Sequence, residues 1–78
     1  MKPFTKTIEV EFYTVNKFNL KGLLEWEGVE LKEYVEGHPI LEVQTPNGIY
    51  AAHFDEHVIV KYGNNYLEVI DKYEFYSR

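Results

Sequence analysis

An alternating segment followed by Pro46-Asn47-Gly48 and a returning partner constrains this chain more than any other feature. In Ile40–Thr45, Leu41, Val43 and Thr45 fall on one side and Glu42 and Gln44 on the other. Ile49–Phe54 follows as a partner of similar length. Period-two alternation is the signature of a strand with one buried face. Proline presets φ for the first turn position, and Asn then Gly tolerate the later ones. The arrangement specifies an antiparallel hairpin, and a hairpin cannot stand alone in water. The rest of the chain must supply what covers it.

Further strands are expected on both sides. Thr7–Tyr13 alternates, with Ile8, Val10 and Phe12 forming the apolar side. Val58-Ile59-Val60 is apolar on both sides, which predicts a central strand. Gly63-Asn64-Asn65 turns it into Tyr66–Ile70, a second hairpin. Between Asn16 and Gly28 the period changes: Leu20, Leu23 and Leu24 lie on one helical face. Asn19 is placed to cap that helix, Phe18 and Leu23 to staple its start, and Gly28 to end it in a left-handed conformation. Val29–Gly37 is ambiguous: Leu31, Tyr34 and Val35 repeat helical spacing, while Val29 and Leu31 also alternate with Glu30 and Lys32. The favoured reading is a second helical turn or an irregular segment, with a strand as the alternative. Asp71–Arg78 reads as a helical turn or an extended tail. The expected fold is α+β: one domain over residues 1–78, a small antiparallel β-sheet of four to five strands with one short α-helix packed on one face.

A core in 78 residues is marginal, and small domains often add a staple. Without cysteine there is no disulfide, which fits a reducing cytoplasm. Seven Tyr, five Phe and one Trp offer an aromatic-rich core instead. Homo-oligomerisation is the other open route, since Tyr and Trp also favour interfaces. Thirteen Asp and Glu against eight Lys and Arg give a net charge of −5. That balance opposes general nucleic-acid binding, which needs cations against phosphates. No apolar run approaches the ~20 residues that span a bilayer, and no signal peptide is visible. A cytoplasmic protein with no membrane contact is expected.

The side chains that could carry chemistry are few. His53, Asp55 and His57 would share one face of a strand, the minimum geometry for a metal. His38 is the only other histidine, so a polar loop is the favoured reading and neither metal nor cofactor is expected. Glu25, Glu27, Glu30, Glu33 and Glu36 could pair for acid–base work, but their spacing suits a solvated face. Ser77 is the single serine, so no nucleophile system is credible, and no phosphate-loop motif occurs. A non-enzymatic binder is the expectation. Its candidate ligand-binding residues are the rings of Tyr13, Trp26, Tyr50 and Tyr62, the imidazoles of His53 and His57, and Lys61 and Arg78 as phosphate partners.

Several short motifs resemble a class of small bacteriophage proteins, the PGDYG-like proteins. Ile8-Glu9-Val10-Glu11 is similar to their first strand, and the Asn19–Gly28 segment to their Asn-led helix. Leu41–Thr45 through Gly48 resembles their hairpin, Val58-Ile59-Val60-Lys61 their hydrophobic strand, and Asp71-Lys72-Tyr73-Glu74 their ending. Where that class carries Pro-Gly-Asp-Tyr, this chain reads Phe54-Asp55-Glu56-His57, so no functional residue is carried over. The resemblance implies a phage accessory protein without catalytic activity that works in the host cytoplasm against a host defence. Taken with the surplus of aromatic side chains, and by analogy with unrelated small phage proteins that sequester cyclic nucleotide signals, the expected partner is a small nucleotide signal. The alternative is a host enzyme blocked through an acidic, tyrosine-rich surface.

Overall fold

The structure, a computed structural model, describes residues 10–35, 37–63 and 65–77. Among these residues, six strands and two helical turns follow in the order β1 (Val10–Thr14), α1 (Leu20–Leu24), β2 (Val29–Val35), β3 (His38–Thr45), β4 (Gly48–His53), β5 (His57–Tyr62), β6 (Leu67–Asp71) and α2 (Lys72–Tyr76). They build two antiparallel three-stranded sheets, one ordered β1-β5-β6 and the other β2-β3-β4. The antiparallel β-rich character matches expectation; the single sheet of four to five strands does not. The reason lies in the two connections that change layer. Residues 15–28 carry the chain from β1 to β2, and the Phe54–Glu56 turn carries it from β4 to β5. Each sheet thereby turns one apolar face toward the other and removes it from water.

The shared core is small, and among the described residues no polar side chain is buried. Leu23, Val29, Leu41, Val43, Ala52, Ile59 and Leu67 belong to one buried cluster, with Trp26, Phe54 and Val69 packed against its rim. Val15 belongs to it too, and its backbone is bonded from both sides: its N–H donates to the His57 carbonyl at 2.8 Å, and its carbonyl accepts from Asp55 N–H at 2.6 Å. Asp55 reaches that bond from the left-handed region, φ 64°. A second cluster of Val58, Val60 and Ile70 lies on the other face of the β1-β5-β6 sheet, under Tyr62 and Phe75. The double-sided burial expected of Val58-Ile59-Val60 follows from β5 lying between β1 and β6 with cover on both faces.

Several local readings change. Val29–Val35 is an edge strand paired with β3, not a helical turn. Hydrogen bonds to β3 satisfy its backbone, and a bulge between Glu33 and Val35 breaks the alternation that would have marked it. The helix around Leu20–Leu24 is only five residues long, with Leu23 as its buried anchor. The Asn19 carbonyl accepts Leu23 N–H at 2.9 Å, but its side chain accepts nothing from the helix. Its side-chain amide donates to the Thr14 carbonyl, while Asn16 Oδ1 accepts the Asn19 backbone N–H, each at 2.9 Å. The staple is absent as well, since Phe18 is 83% exposed. Gly28 does adopt a left-handed φ of +92°, but at the entrance to β2, four residues beyond the helix. Asp71–Arg78 contains a helical turn, α2, whose Asp71 carboxylate accepts from Tyr73 N–H. In the first strand, Val10 and Phe12 are each 47% exposed, because β1 is an edge and Phe75 covers its outer face only in part, 4.8 Å from Phe12. Residues 7–9, including Ile8, lie outside the described residues.

Candidate functional site

The β3–β4 turn and the β5–β6 hairpin end side by side. The first is fastened by Thr45, whose hydroxyl donates to the Gly48 carbonyl at 2.9 Å and accepts from Asn47 N–H at 3.1 Å. The second is closed by Tyr62 N–H donating to the Tyr66 carbonyl and by Asn65, left-handed at φ 67°, donating to the Tyr62 carbonyl. Between them lies an open cleft of about 380 Å³ whose walls include Pro46, Tyr50, Tyr62, Tyr66 and Glu68. Tyr62 Oη donates to Glu68 Oε2 at 2.5 Å. That bond sets the Tyr62 ring and turns a carboxylate into the cleft wall. Among the described residues lining the cleft there is no Lys, Arg or His.

Tyr50 and Tyr62 are therefore the two expected ligand residues that share this cleft. Tyr66 and Glu68 complete it and were missed. A signal for them existed: Tyr62 and Tyr66 flank the Gly63-Asn64-Asn65 turn, and a hairpin brings its flanking residues together.

Tyr13, Trp26 and Lys61 form a second group. The Tyr13 and Trp26 rings are tilted with centroids 5.4 Å apart. The Lys61 ammonium lies 5.3 Å from the Trp26 centroid and 3.4 Å from Glu11 Oε2, its cross-strand neighbour. Beside them a polar cavity of about 390 Å³ is lined by Glu25, Trp26, Glu27, Gln44, Lys61 and Asn65. Lys61 thus answers a ring and a carboxylate of its own chain.

His53 and His57 form a third group. His53 ends β4 and His57 begins β5, with Asp55 in the turn between, so the three do not share one strand face. The imidazole centroids are 5.6 Å apart. His57 Nδ1 accepts the His53 backbone N–H at 2.9 Å, a bond that requires its lone pair. Among the described residues no group of three or more His, Cys, Asp or Glu is arranged to hold a metal. Of the glutamates considered for acid–base work, Glu25, Glu27, Glu30 and Glu33 are exposed, and Glu30 meets Lys32 at 3.4 Å. Glu36 and Arg78 lie outside the described residues. Among the described residues no helix is long and apolar enough to cross a membrane.

The expected residues thus divide into a tyrosine cleft, a Trp26–Lys61 cavity and a histidine pair at the β4–β5 crossing. No family model, no curated protein and no solved structure matches the chain.

Proposed function

We propose that this chain is a non-enzymatic binding protein that sequesters a small ligand by stacking a flat ring in the tyrosine cleft. The single observation that carries the reading is the gathering of Tyr50, Tyr62 and Tyr66 around one opening of about 380 Å³. That volume lies within the range of small-molecule sites. Each tyrosine face gives stacking at low entropy cost, roughly 1–3 kcal/mol per stacked base. Glu68 adds an acceptor at the wall, and its charge disfavours placing a phosphate there. The recognised part of a nucleotide is therefore its base, and a base with adjacent N–H donors, such as guanine, suits the carboxylate best. Together with the resemblance to phage accessory proteins, this favours sequestration of a host nucleotide signal.

Calorimetric titration tests the reading. Guanosine and a guanine-containing cyclic dinucleotide should both release heat, ribose phosphate should not, and Tyr50→Ala should weaken binding about tenfold or more. Silence with every nucleoside and nucleotide would end it. A second reading, inhibition of a host enzyme through a protein surface, draws on α2. There Tyr73 and Tyr76 stand exposed on either side of the acidic Glu74. Recovery of one stoichiometric host protein, lost with Tyr73→Ala, would favour that surface over the cleft.

A further inference from the structure

The Trp26 cavity is chemically unlike the tyrosine cleft. Its walls carry two carboxylates, two carboxamides, one indole face and one ammonium, from Glu25, Glu27, Gln44, Asn65, Trp26 and Lys61. The ammonium already has a carboxylate partner outside the lining, Glu11 at 3.4 Å. Among the described residues Glu25 and Glu27 have no ion pair of their own. The cavity is left with a surplus of negative charge and an indole face on which a cation rests.

We propose that this cavity binds a linear alkyl polyamine, one ammonium of which displaces Lys61 from the face of Trp26. The position of Lys61 is the guide. An ammonium within about 6 Å of an indole centroid is held by the ring quadrupole, and the chain's own ammonium sits at 5.3 Å. The ring face is thus a cation position filled from within. Lys61 can yield it without cost in charge, because Glu11 retains it on the other side. The vacated face, Glu25 and Glu27 then offer one cation–π position and two carboxylates. A volume of about 390 Å³ far exceeds one ammonium and suits two or more joined by methylenes. The carboxamide and carboxylate oxygens are acceptors, and primary and secondary ammonium groups supply the N–H donors that they need.

Trp26 is the only tryptophan in the chain and lines this cavity, so its emission reports on the indole that the proposal places under the ligand. Spermidine should change it saturably, while sodium chloride at matched ionic strength should not. Lys61→Met removes the resident competitor and should tighten spermidine binding about fivefold. Replacing both Glu25 and Glu27 by Gln should weaken it about tenfold. Where Lys61→Met fails to fold, Lys61→Arg keeps a cation on the ring and should bind no more tightly than the parent protein. An equal response to spermidine and salt, or weaker binding by Lys61→Met, would overturn the proposal. Butylamine binding as tightly as spermidine would also overturn it, since one lysine of a protein partner would then satisfy the site. None of these readings touches the tyrosine cleft, so either proposal can fail without the other.

Discussion

The two faces of the central strand β5 are both buried, yet they are covered in different ways. Ile59 points into the layer between the sheets, where it meets Leu23, Leu41 and Leu67 in a cluster without polar side chains. Val58 and Val60 point outward. What covers them is Phe75 and Tyr62, with Val10 and Phe12 half exposed alongside. The inner face is closed by a whole sheet whose strands are paired to each other. The outer face is closed by one helical turn of five residues. A sheet folds or unfolds as a unit, whereas a single turn can lift away while the ladder beneath it stays paired. The inner layer should therefore set global stability and the outer cover should open at lower cost.

Leu41→Ala should produce the largest effect. Leu41 is wholly buried on the middle strand of its sheet, between Leu31 and Ala52. Truncating it leaves a cavity that two paired layers cannot collapse, a loss of roughly 2–5 kcal/mol. Against the roughly 5–15 kcal/mol typical of a whole domain, that threatens the fold. A urea titration should show the midpoint fall steeply, and a midpoint within experimental error of the parent would refute the division between the layers. Gly28→Ala comes next. Its φ of +92° is costly for any residue with a side chain, and a Cβ there would lie 3.4 Å from Gln44 Cβ and 3.6 Å from Leu67 Cδ1. The Gly28 carbonyl also accepts Gln44 N–H at 2.9 Å, so relief by moving the backbone would cost a ladder bond. A loss of roughly 1–3 kcal/mol is expected, seen in the same titration.

The parts of the fold that were legible are those where local chemistry and tertiary environment agree. Ile40–Thr45 alternates because β3 has one face in the core, and Pro46-Asn47-Gly48 closes the hairpin as its residue types demand. Val58-Ile59-Val60 announced a strand between two others for the same reason. β2 was ambiguous because only the start of its alternation marks a buried face: Val29 is in the core, whereas Leu31 is 47% exposed on an edge strand. The helical spacing of the segment is a coincidence that strand pairing overrides. The split into two sheets was hidden in the Phe54–Glu56 turn. Its change of layer depends on a left-handed Asp55 held by Val15, some forty residues away in sequence, as the bond Asp55 N–H to Val15 carbonyl records. In the candidate site, a surplus of rings was readable from composition. Which rings converge was not, because Tyr50 and Tyr62 come from hairpins that meet through the tertiary packing of β3 and β4 against β5 and β6.

Smaller effects test the outer face. Phe75→Ala uncovers Val58, Val60 and Ile70 and removes the contact with Phe12 at 4.8 Å. Phe75 is only partly buried, so about 1–2 kcal/mol is expected. Hydrogen exchange gives the sharper reading: amides of residues 72–77 should lose protection while those of β3 keep theirs. Equal loss in both would mean that the cover and the core open together.

Asp71→Ala should have the smallest effect and the most local one. The Asp71 carboxylate accepts the Tyr73 N–H at 2.9 Å, and Asp71 itself stays extended at φ −60° and ψ 134°, the conformation of a residue that caps a helix from outside. Removing the cap frees one donor at the start of a helix too short to persist by itself, at about 0.5–1 kcal/mol. The turn is still held at its far end, where the Tyr76 and Thr14 hydroxyls are 2.9 Å apart, and in its middle by Phe75. The unfolding midpoint should therefore move little while exchange across residues 72–77 quickens. Asp71→Asn, which keeps an oxygen in place to accept the same N–H, should restore most of the protection. If Asn and Ala behave alike, the cap is not what seats the turn, and its attachment must rest on Phe75, Tyr76 and the bond from Lys72 N–H to the Glu56 carbonyl.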